Sequence, residues 1–62
     1  MKLWIARNKS GALFLYGEKP IKVEEWGEFA YVSGRYIHLS HKLLPEVTWG
    51  NSPKQVEIKF ID

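Results

Sequence analysis

Apolar positions along this chain recur every second residue more often than every third or fourth, which is the period of strands rather than helices. In "KLWIAR", residues 2–7, Leu3 and Ile5 share one face and Trp4 and Ala6 the other; in "ALFLY", residues 12–16, Leu13 and Leu15 oppose Ala12, Phe14 and Tyr16. The "NKSG" between them holds Asn8 and Gly11, residues suited to a four-residue turn, and predicts a β-hairpin. Both faces of that hairpin are apolar. It therefore needs cover on both sides, from a closed barrel, from a loop or from a second subunit.

Further along, "IKVE" at 21–24 alternates Ile21 and Val23 inward against Lys22 and Glu24, as a half-buried strand does. A helix over "EEWGE" would stack Glu24 on Glu28 and place Gly27 inside it, so this piece reads as a loop with Trp26 turned inward. "FAYVSGRYIHLS", residues 29–40, reads as a second hairpin turning at Ser33-Gly34 or Gly34-Arg35. Either turn leaves the faces unchanged: Ala30, Val32, Ile37 and Leu39 on one, and Phe29, Tyr31, Tyr36 and His38 on the other, with Ser33 and Ser40 at its ends. Ser40 can cap one helical turn, "HKLL", which Pro45 ends. "EVTW" reads as a short extended piece, "GNSP" as a turn, and "KQVEIKFI" as a last strand with Val56, Ile58 and Phe60 inward. The sum is one domain over residues 1–62, mainly β. It is a small antiparallel bent sheet or partly open barrel of five to six short strands with at most one helical turn. Its expected core is Leu3, Ile5, Leu13, Leu15, Val32, Ile37, Val56, Ile58 and Phe60.

The opening "KLWIARNKSGALFLYGEKP" and the closing "LLPEVTWGNSPKQVEIKF" resemble a set of short bacterial proteins that begin K-L-aromatic-I-A-R and end PEVTW-x-NSP-x-x-VE. The resemblance covers about half of the chain, at its two ends. It implies a family of single small domains without an assigned activity, and no catalytic or binding residue is carried over from it.

Length changes the picture next. At 62 residues the chain is near the lower limit for unaided folding, since a domain of about 60 residues buries only about 60% of its unfolded surface. Disulfides and thiolate metal sites are ruled out by the absence of cysteine, which leaves self-association as a route to extra burial. The same absence suits a cytoplasmic protein. The opening lacks the apolar run and cleavage site of a signal peptide, and "ALFLY" is too short to span a membrane. Nine Lys and Arg against seven Asp and Glu leave a net charge of +2, scattered along the chain without a polybasic run.

Candidate chemistry is sparse. His38 and His41 are three apart, which in a strand sends them to opposite faces, so they do not share an ion and no metal site is expected. Ser33, Ser40 and Ser52 sit where turns and caps favour serine, no nucleophile elbow is present, and Glu24, Glu25 and Glu28 read as solvated. No catalytic residue, metal or cofactor is expected. The chain is expected to be non-enzymatic.

Three Trp and three Tyr in so short a chain point to an interface. The expected function is a small protein-interaction module binding a protein partner or itself, as a homodimer. Trp4, Phe14 and Tyr16 are the candidate interface of the first hairpin, and Phe29, Tyr31, Tyr36 and His38 are a second candidate contact surface. The alternative is a single-stranded nucleic-acid-binding barrel whose aromatic strand face stacks bases.

Overall fold

The computed structural model describes residues 1–31, 34–59 and 61. Six strands form: β1 (Lys2–Arg7), β2 (Leu13–Tyr16), β3 (Ile21–Val23), β4 (Glu28–Ala30), β5 (Tyr36–Leu39) and β6 (Lys54–Glu57). They make a four-stranded sheet of order β5-β2-β1-β6 and a two-stranded sheet β3-β4, both antiparallel. The larger sheet does not close into a barrel. Among the described residues no helix is long and apolar enough to cross a membrane. In place of the expected helical turn after Ser40 there is a single hydrogen-bonded turn, in which Leu43 N–H bonds Ser40 O and the Ser40 hydroxyl accepts Lys42 N–H.

The first hairpin forms with the predicted faces, but Arg7 pairs with Leu13 and not with Ala12, the partner that a four-residue "NKSG" turn would require. Trp4 pairs with Tyr16 and Ala6 with Phe14 on an aromatic face, while Ile5 pairs with Leu15 and Arg7 with Leu13 on an aliphatic face. Its turn is tight: Asn8 N–H bonds Ala12 O, Gly11 N–H bonds Asn8 O, and Gly11 takes φ +103°, a left-handed conformation that costs glycine little. On its other flank β1 pairs with β6, bringing Val56 beside Leu3 on the aliphatic face.

Each face acquires a different cover. Over the aromatic face, Ala6, Tyr16 and Phe29 form a buried cluster with Trp4, Phe14 and Trp49 packed against it, so β4 and Trp49 supply the roof. Over the aliphatic face, Ile5 and Leu13 meet Val47, with Leu15, Leu39 and Val56 around them. Val47 belongs to the long connection between β5 and β6, and Arg7 holds that connection down. From the end of β1, Arg7 donates its Nε–H to Val47 O, Nη1 to Gly11 O and His41 O, and Nη2 to Leu43 O and Leu44 O. Ser52 seconds it: its hydroxyl accepts Arg7 N–H and donates to Thr48 O.

Several expectations are corrected here. The predicted hairpin over residues 29–40 is not what the strands build. Pairing β4 with β3, and β5 with the free flank of β2, satisfies backbone groups in both sheets and sets Tyr36 against Tyr16 and His38 against Phe14. Trp26 is not turned inward; it is 66% exposed at the tip of the β3–β4 turn. Ile21 is exposed as well, because Lys22 takes the inward place opposite Phe29, laying its ammonium 4.5 Å over the Trp49 ring and donating to Trp49 O. Ile58 lies beyond the end of β6 and is exposed, and Ile37 is 59% exposed; neither is core. "EVTW" joins no strand: Glu46 ends one turn, Trp49 begins the next, and Val47 between them is buried. Val32, Ser33 and Phe60 lie outside the described residues.

Candidate functional site

Two surfaces stand out, one on each side of the larger sheet. The first is an aromatic cleft at the junction of the two sheets. Strand alternation projects Phe14 and Tyr16 to the same side of β2, and pairing to β5 lays His38 on Phe14, stacked at 4.7 Å, and Tyr36 near Phe14 and Tyr16 at 5.9 and 6.2 Å. Tyr31, arriving from β4, brings its ring within 4.6 Å of Tyr36. The opposite wall is β4. Phe29 is buried there, and its N–H donates to Asn8 Oδ1 at 3.0 Å, which ties the β1–β2 turn to β4. Lys9 N–H to Gly27 O adds a second tie between the same turns. Together Phe14, Tyr16, Phe29, Tyr31, Tyr36 and Glu28, with Asn8 at one end, line a cleft of about 200 Å³.

Glu28 is the one carboxylate among the lining residues of this cleft. Burial chiefly holds the Tyr16 phenol above its ordinary range, and the neighbouring Tyr36, Glu28 and Tyr31 push it the same way. Tyr31 is also raised, foremost by its hydrogen bond with Tyr36. Lysine and arginine are not among the lining residues. The nearby Lys22 ammonium is bound at Trp49.

The second surface is the end of the aliphatic face that Val47 does not reach. Met1, Leu3, Leu15, Tyr16, Gly17, Arg35 and Ile37 border an apolar cleft of about 230 Å³ there, Tyr16 being shared with the first cleft. Ile37 sits on β5, the edge strand, and among the described residues no strand pairs with the outer side of β5.

The residues singled out in the sequence divide between these surfaces and the core. Tyr16, expected at an interface, is 4% exposed and lies inside the chain, and Trp4 and Phe14 are half-buried against the same cluster. Phe29, expected on a contact surface, is buried; Tyr31, Tyr36 and His38 remain exposed. His41 lies past the end of β5, where its carbonyl accepts from Arg7. The Ser40 and Ser52 hydroxyls are engaged in backbone hydrogen bonds. Among the described residues, no group of three or more His, Asp or Glu side chains is placed to hold a metal. Sequence reasoning missed Asn8 and Glu28 as cleft residues and Arg7 as an organiser. Glu28 had a signal, since it immediately precedes an aromatic residue at a strand start; Arg7 had none, because its partners are backbone carbonyls far along the chain.

No protein-family model matches the chain, and no curated protein or solved structure shows significant similarity to it.

Proposed function

We propose that this chain is a small non-enzymatic interaction module that self-associates through β5 and the open end of the aliphatic face. The observation that supports the reading is Ile37, 59% exposed on an edge strand and bordering an apolar cleft with Met1, Leu3 and Leu15. A second copy is the partner that fits. The β6 edge carries Lys54 and Glu57, with Glu57 3.4 Å from Lys59, the kind of charge that discourages edge pairing, whereas β5 carries no Lys, Arg, Asp or Glu. Antiparallel pairing of β5 with β5 of another copy is self-complementary. In the registers that keep both faces continuous, Ile37 meets Ile37 or Leu39 of its counterpart.

The test is sedimentation equilibrium or light scattering. Wild-type protein is expected to be dimeric at concentrations where Ile37→Lys is monomeric, with the circular dichroism of the variant unchanged. A wild type that stays monomeric at the highest attainable concentration sinks the proposal. The nucleic-acid alternative draws on the Phe14–His38 stack, while the Glu28 carboxylate in the adjacent cleft would repel a phosphate backbone. An anisotropy titration with short single-stranded DNA and RNA at low salt separates the two readings.

A further inference from the structure

The aromatic cleft has a chemistry of its own, independent of self-association. Five rings, those of Phe14, Tyr16, Phe29, Tyr31 and Tyr36, line a space of about 200 Å³, below the roughly 300 Å³ at which drug-sized ligands begin to be enclosed, so it suits a head group rather than a whole molecule. Phe14 is stacked by His38 and Phe29 lies 5.9 Å from the Lys22 ammonium, so Tyr31 and Tyr36 are the exposed rings. Aromatic faces carry negative charge density that attracts cations, most strongly when the cation is desolvated. An ammonium ion hydrated by water loses its N–H hydrogen bonds on entering such a site. A methylated ammonium has fewer or none to lose and presents methyl groups to the rings.

The remaining lining groups point the same way. Glu28 lines the cleft as its one acidic side chain, and Asn8 already accepts Phe29 N–H through its Oδ1. The Tyr31 and Tyr36 rings, 4.6 Å apart, pack against each other as two of the walls. Tyr31 and Tyr36 are 50% and 47% exposed, so the mouth of the cleft opens to solvent while Tyr16 and Phe29 form its buried floor. We propose that the cleft between β4 and the β2–β5 pair is a binding site for a methylated ammonium group, with Glu28 as its counter-ion.

Two cations serve as probes, tetramethylammonium and free Nε-trimethyl-lysine, alongside tert-butanol as a neutral group of similar shape. Proton NMR titration of the tyrosine ring signals reads the binding. The cations are expected to shift the Tyr31 and Tyr36 resonances with millimolar affinity, and tert-butanol to bind at least about ten-fold more weakly. Glu28→Gln is expected to weaken the cations several-fold without changing tert-butanol. Tyr31→Ala, which removes an exposed ring outside the strands, abolishes cation binding and leaves the far-ultraviolet circular dichroism intact. Tighter binding of trimethyl-lysine than of tetramethylammonium identifies a modified side chain as the natural source; equal binding identifies a free small cation. The proposal is overturned if tert-butanol binds as well as the cations, if neither cation shifts these tyrosines, or if Tyr31→Ala binds like wild type. Because Tyr36 sits on β5 and Tyr16 borders both clefts, the titration is repeated in Ile37→Lys, where unchanged cation binding separates this site from self-association.

Discussion

At the scale of single residues, Arg7 shows how a small chain stabilises a long connection without a helix or a disulfide. Its planar guanidinium reaches five carbonyls, four of them in residues 41–47, a task for which the fixed fork of arginine is suited and the point charge of lysine is not. Arg7→Ala leaves those carbonyls to water where they are exposed and unpaired where they are not, so a loss of about 2–3 kcal/mol is expected in urea denaturation. Arg7→Lys should lose at least about 1 kcal/mol and speed amide exchange at Val47, whose N–H bonds Leu44 O within the same connection. Tyr16 makes a prediction in pH. Burial, with Tyr36, Glu28 and Tyr31 nearby, raises its phenol above the ordinary 10.0, so the folded chain keeps a proton that the unfolded chain releases. Its contribution is therefore intact below about pH 10 and is lost as pH climbs through the raised folded value. Denaturation followed at rising alkaline pH should show this decline in the wild type and a shallower one in Tyr16→Phe.

At the scale of elements, the first hairpin is held by what covers it rather than by what it offers to a partner. Trp4 is half-buried against the cluster of Ala6, Tyr16 and Phe29, with the Lys19 ammonium 5.4 Å from its ring. Trp4→Ala is expected to lower stability by about 2–3 kcal/mol, below the range for a fully buried aromatic, and to leave the sedimentation behaviour of the folded protein unchanged. The faces of this hairpin were legible in the sequence because alternation acts within a few residues, whereas its register, with Arg7 opposite Leu13, was not. The pairings of β4 and β5 were not. "FAYVSGRYIHLS" satisfies every local rule for a hairpin, and only the competing claims of β3 and of the free flank of β2 send its halves to different sheets. For the same reason Phe29 could not be told from Tyr31 as core or surface. Alternation placed both on one strand face, while Trp49 and Asn8, which bury Phe29, come from elsewhere in the chain.

At the scale of the whole molecule, the described core is two thin clusters on opposite sides of one sheet, and each is completed by a segment that lacks strand structure or belongs to a two-stranded sheet. Two-stranded sheets are marginal alone, so β3 and β4 depend on the cleft wall they help to form. The aliphatic face is finished only where Arg7 draws Val47 over it, and the open remainder around Ile37 is where a second copy is expected to sit. The position of β1 between its two neighbours carries a consequence in time. It pairs with β2 across a turn of a few residues but with β6 across nearly the whole length of the chain, Leu3 lying against Val56. Closing the first pairing costs little chain entropy and closing the second costs more, so β1 should meet β2 early and wait for β6. Until then one edge of the central strand, and the apolar side chains it carries, stand open to other molecules. The concentration at which the chain is made, as much as its final stability, then decides whether it folds or clumps.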